Sequence, residues 1–140
     1  MVSIIICGHS DLAEGILSAS EMVFGKMEQL TAVKFLPNEG VPNLLRKYEE
    51  AAALLGNQDE ILFMADIFGG SPYNAAAQYV ALHPGADVVT GVCLPMLIEA
   101  LDFRNTMALS EVVVSLKESF KNYFYSYSEV MAQQSDDDDL

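Results

Sequence analysis

Two residues of this chain stand where chemistry is done. His9 closes the apolar run Ile4-Ile5-Ile6-Cys7-Gly8-His9, and Asp66 closes Ile61-Leu62-Phe63-Met64-Ala65-Asp66. If the Asp66 carboxylate accepts a hydrogen bond from one ring nitrogen of His9, the other nitrogen is left unprotonated and nucleophilic. Such a nucleophile can attack carbon or phosphorus. The residues after Asp66 favour phosphorus. Gly69 and Gly70 let the backbone approach an anion closely, and Ser71 adds a hydroxyl at a helix start. Free N–H groups and the helix dipole stabilise negative charge there. Ser10 follows His9 at the start of a second helix. Taken singly, these features are bland: a loop histidine is usually solvated, and glycine-rich strand-to-helix loops are common. His83, in His83-Pro84-Gly85, reads as turn chemistry.

The elements that must position this pair read as alternating strands and helices. Residues 2–7 form a short β-branched run, as in a strand buried on both faces. Ser10 or Asp11 can cap the next helix, in which Leu12, Ile16, Ala19, Val23 and Met27 share one face. Residues 31–36 read as a second strand, and a helix follows from Pro42 to Gly56. Residues 61–65 are a third strand. Ser71-Pro72 is a strong helix start, with Ser71 as N-cap. Residues 87–93 are a fourth strand, and Pro95 opens another helix. Four such β-α units specify a parallel sheet covered by helices on both faces, an α/β three-layer sandwich. In open parallel sheets the ligand site lies beyond the carboxyl ends of the strands, so His9 and Asp66 share one rim. Near the C-terminus, Tyr125 and Tyr127 alternate with Ser126 and Ser128. Period two with aromatics points to a fifth strand, a continued helix being the alternative.

Composition bounds the partners. The chain has 140 residues, of which 51% are hydrophobic, enough for one domain with a real core. We place that domain at residues 1–132, with 133–140 as a disordered acidic tail. The formal charge is −13, from 7 basic and 20 acidic side chains, which excludes nucleic acid as a partner. No apolar run reaches the ~18–20 residues of a membrane span, and the N-terminal run lacks the basic flank of a signal sequence. A cytoplasmic protein without membrane insertion is expected. Cys7 and Cys93 read as two buried free thiols, and no cluster has metal spacing, so neither metal nor cofactor is called for.

Three segments carry a resemblance. Ile6-Cys7-Gly8-His9-Ser10, Asp66-Ile67-Phe68-Gly69-Gly70-Ser71-Pro72-Tyr73-Asn74-Ala75 and Gly91-Val92-Cys93-Leu94-Pro95-Met96-Leu97 resemble the enzyme IIA domain of the mannose family of the bacterial sugar phosphotransferase system. The similarity runs in order from Met1 to about Val130. It implies that His9 carries a phosphoryl group received from the histidine-containing phosphocarrier HPr and passed to a separate IIB component. Asp66 would hold the ring; the modified nitrogen is left open, Nε2 following if Asp66 holds Nδ1. Ser71, Gly69, Gly70 and Ser10 would surround the phosphoryl group, and Phe68 and Phe35 would serve docking. The resemblance also implies a homodimer that exchanges an antiparallel C-terminal strand, which suits the alternating segment. The position of Cys93 is often asparagine in that family. Three rival readings remain: a related phosphocarrier that serves dihydroxyacetone kinase, a non-catalytic anion- or nucleotide-binding module, and a regulatory protein that senses phosphorylation without passing it on. The second lacks a Gly-x-Gly-x-x-Gly or Walker loop after the first strand.

Overall fold

A computed structural model describes residues 1–138. Strand β1 (Ser3–His9) is fully buried as far as Gly8, as a β-branched run without charges must be. It pairs in parallel with β2 (Leu30–Phe35) on one side and β3 (Ile61–Ala65) on the other, and β4 (Ala86–Thr90) joins β3. The order is therefore β2-β1-β3-β4, with the chain reversing its direction of travel between β1 and β3. The register sets Cys7 opposite Ala65 and His9 opposite Phe35. One further ladder bond, Asp66 N–H to the Cys7 carbonyl at 3.1 Å, brings Asp66 beside the end of β1.

Helices cover both faces. Helices α1 (Leu12–Phe24), α4 (Leu94–Phe103) and α5 (Leu109–Phe120) pack over Ile4, Ile6, Leu62 and Met64. Helices α2 (Val41–Leu54) and α3 (Ser71–Leu82) pack over Ile5, Cys7, Phe63 and Ala65. Successive strand residues thus feed two separate cores, which is the period-two geometry of a sheet buried on both sides. At the end of the sheet away from His9, the buried Arg104 guanidinium donates to the carbonyls of Val2 at 3.2 Å, Gln29 at 2.9 Å and Glu28 at 2.6 Å. That fork ties the end of α4 to the entries of β1 and β2.

Two sequence expectations are corrected, and a third is not shown in the single chain. The face of α1 that meets the sheet is Ala13, Ile16, Leu17 and Ser20, whereas Leu12, Val23 and Met27 are exposed. Small Ala13 and Ser20 let the helix lie close, so apolar size misled the periodicity. Ser71 is the first residue of α3 rather than its cap; Gly70, extended at φ −81° and ψ 170°, holds the cap position. The expected fifth strand is absent among the described residues. After a 3-10 turn at Lys121–Tyr123, the chain forms helix α6 (Tyr127–Asp138). In the single chain this segment pairs its backbone locally as a helix. Helix α6 also runs through position 132, where the domain boundary was placed, and residues 139–140 lie outside the described ones.

Candidate functional site

The site is built where β1 and β3 end side by side. The Asp66 carboxylate folds back over the end of β1, and Oδ2 accepts two hydrogen bonds from His9: the backbone N–H at 2.9 Å and ring Nδ1 at 2.7 Å. Oδ1 accepts the Ile67 N–H at 2.8 Å. An ionised carboxylate can only accept, so Nδ1 carries the proton and Nε2 holds a lone pair. Burial would raise the Asp66 carboxyl, but the His9 backbone N–H, the His9 ring and the Ile67 N–H outweigh it and hold it below the usual range. The two side chains differ in access. That of Asp66 is 7% exposed and that of His9 is 46% exposed, so the carboxylate is enclosed while the imidazole faces outward.

Glycines permit these approaches. A Cβ on Gly8 would lie 3.2 Å from the Asp66 Cγ, and one on Gly70 would lie 3.1 Å from the His9 Cε1. The first turn of α3 therefore comes as near the imidazole as a backbone can. Gly69 takes φ +84°, a left-handed turn that aims the chain into α3, and its carbonyl accepts from Asn74 Nδ2 at 3.3 Å. Ser71 opens the helix at this rim. With the N-terminal dipole and N–H groups of α3 beside Cε1, the site can receive a tetrahedral oxyanion on Nε2.

The other rim residues separate. Ser10 is exposed, at φ +55°, and its N–H donates to the Phe35 carbonyl at 3.0 Å, turning the chain sharply from β1 into α1. The start of α1 is less suited to an anion than expected, because Asp11 and Glu14 stand there, paired with Lys34 at 2.9 and 3.2 Å. Phe35 is half-buried and sets its ring edge-on to the imidazole with centroids 5.4 Å apart. Phe68, by contrast, is 77% exposed and leans on Tyr73. Leu12, Leu36, Ile67 and Phe68 are an exposed apolar collar on the segments that follow β1, β2 and β3 at this rim. Sequence reading missed Gly8, Leu36, Ile67 and Lys34. Strand register alone could have flagged Lys34, which pairs with Gly8 one step before His9.

A doubly wound α/β protein with a hydrogen-bonded His–Asp pair at its topological switch point is the class that fold and site define. The model of the EIIA-man family, described as "PTS system fructose IIA component", matches residues 3–117, and the chain belongs to that family of phosphotransferase-system IIA components. The fructose-specific EIIA component of Bacillus subtilis (strain 168) is 40% identical over 129 residues, covering 92% of this chain and 88% of that protein. The sorbose-specific EIIA component of Lacticaseibacillus casei is 36% identical over 139 residues, covering 99% of this chain and all (100%) of that protein. The crystal structure of an EIIA component from Streptococcus agalactiae superposes with a TM-score of 0.84 over 92% of this chain and 99% of that one, at 24% identity, a likeness of fold. Membership makes this chain a phosphotransferase component of sugar transport. No helix among the described residues is long and apolar enough to cross a membrane.

Proposed function

We propose that this protein is a cytoplasmic phosphoryl carrier that accepts a phosphoryl group from HPr on His9 Nε2 and passes it to a IIB component. The observation that carries this reading is the 2.7 Å bond from Nδ1 to a buried carboxylate, beside an exposed ring and a helix N-terminus. In the transfer, the Nε2 lone pair attacks phosphorus in line; the new P–N bond forms as the donor's P–N bond breaks, and the electron pair of that bond returns to the donor ring. The Nδ1 proton stays on His9, and the positive charge that grows on the imidazole is met by Asp66. Charge on the transferring oxygens meets the N–H groups at the start of α3 and the Ser71 hydroxyl. The collar of Leu12, Leu36, Ile67 and Phe68 supplies a dry seat for donor and acceptor in turn.

Discharge of the phosphorylated protein tests the acceptor. Transfer to a IIB component fits the reading, and transfer only to dihydroxyacetone kinase would replace it with the related phosphocarrier. The protein also works as a homodimer in this reading. β4 is an edge strand, and Phe124, Tyr125 and Tyr127 are exposed in the segment that follows α5. In a pair of copies that segment becomes the fifth, antiparallel strand against the partner's β4 edge, removing both liabilities together. Light scattering of the intact chain and of a chain ending at Tyr123 checks it: dimer and monomer respectively are expected.

A further inference from the structure

Beneath the loop that approaches His9 lies a phenol that none of this chemistry uses. Tyr48 of α2 is fully buried, and its hydroxyl donates to the Pro72 carbonyl at 2.9 Å. Its ring packs on Phe63 of β3 with centroids 5.1 Å apart, and Phe63 packs in turn on Tyr79 of α3, also at 5.1 Å. The Cys7 thiol, on β1 two residues before His9, lies against the same hydroxyl. Burial raises the phenol and pushes the thiol up to about 12, so both stay protonated at neutral pH and neither exchanges a proton with the site.

Pro72 is the second residue of α3 and has no N–H of its own. The Asn74 N–H goes to the Gly70 carbonyl at 2.8 Å, which leaves the N–H groups of Ser71 and Tyr73 to meet an anion on His9. With Gly70 so close to Cε1, a few tenths of an ångström in the height of this turn decide how well they meet it. Among the described residues, Tyr48 makes the one side-chain hydrogen bond from another element to this turn. The Pro72 carbonyl already serves the helix ladder, so the phenol is not there to satisfy it. What it adds is a fixed distance between α2 and the start of α3.

We propose that Tyr48 is a positioning residue whose hydroxyl fixes the first turn of α3 against the His9 imidazole. Its effect on transfer rests on the phosphocarrier reading; its structural part rests on the hydrogen bond alone. Two variants separate tether from packing. Tyr48→Phe keeps the aromatic stack and removes only the hydroxyl, and Phe63→Leu loosens the stack and keeps the hydroxyl. With phosphorylated HPr as donor, Tyr48→Phe should lose about tenfold in the rate of phosphoryl uptake at unchanged KM. Phe63→Leu, measured where it is fully folded, should keep the wild-type rate. Amide exchange at Ala75 and Ala76, whose N–H groups close that turn, should quicken in Tyr48→Phe alone. A wild-type rate in Tyr48→Phe, or equal slowing in both variants, would overturn the assignment. If the wild-type chain takes up no phosphoryl group, the phosphocarrier reading falls and exchange decides: faster exchange in Tyr48→Phe alone upholds the tether, and unchanged exchange overturns it.

Discussion

Asp66 holds both the backbone and the ring of His9 with one oxygen: Oδ2 accepts the N–H at 2.9 Å and Nδ1 at 2.7 Å. The end of β1 and the direction of the imidazole are thereby fixed by a single group that follows β3. Rotating the carboxylate would disturb both, and the Ile67 N–H on Oδ1 prevents rotation.

Asp66→Asn should keep the fold, its amide oxygen accepting the two His9 bonds while the Ile67 N–H loses its acceptor, yet slow phosphoryl uptake by ~10²–10⁴ for want of the negative charge that meets the imidazolium. Rapid-quench kinetics with phosphorylated HPr would show it. Near-normal transfer would count against the role given to Asp66.

The same carboxylate predicts an acid effect on stability. Its folded pKa lies below the ordinary aspartate value, so its contribution is complete above that value and is lost as pH falls through the folded one. The difference in Tm between the wild-type chain and Asp66→Asn should hold steady down to about pH 5 and close below about pH 4. A gap that stays constant into the acid transition would show that the carboxylate is not stabilised by folding.

Gly70→Ala puts a methyl 3.1 Å from His9 Cε1 and 3.2 Å from Ile67 Cγ1. Both neighbours can give way at the surface, so Tm should move little. The ring moves with them, and transfer should slow by about 10-fold or more. Calorimetry and kinetics on the same sample separate the two effects.

Phe68→Ala removes an exposed ring that holds up no core. KM for the phosphodonor should rise several-fold, roughly 1 kcal/mol of docking, with the limiting rate nearly unchanged. Loss confined to the limiting rate would remove Phe68 from the docking collar.

Arg104→Leu deletes the fork on the Val2, Gln29 and Glu28 carbonyls. Leaving these groups without their charged donor should cost about 3 kcal/mol in urea unfolding, with transfer unaffected wherever the variant is folded.

What the sequence disclosed follows from what local pattern encodes. Buried parallel strands are short apolar runs, so β1 and β3 were legible, and the rim rule then placed His9 beside Asp66. Helix α1 was misread because its sheet-facing side is made of Ala13 and Ser20, while larger Val23 and Met27 face outward. Apolar size is a guide to burial only when the neighbour leaves room for it. Phe35 was placed in docking because an aromatic at a strand end looks available; its ring edge on the imidazole depends on the β1–β2 register. Tyr48 was read only as one more apolar position of α2, since its hydroxyl meets a residue 24 positions on. The segment at 125–130 carries strand-like alternation, yet the single chain is helical from Tyr127, and such a conflict is settled by tertiary surroundings rather than by propensity.

The most direct test of the account is intact-mass analysis of the purified chain after incubation with phosphoenolpyruvate, enzyme I and HPr, with His9→Ala alongside. A carrier that is phosphorylated on His9 gains one phosphoryl group that requires HPr, is lost on mild acid treatment and is absent from His9→Ala. A folded wild-type chain that gains no mass, or a His9→Ala chain that gains the same mass, would contradict the carrier reading.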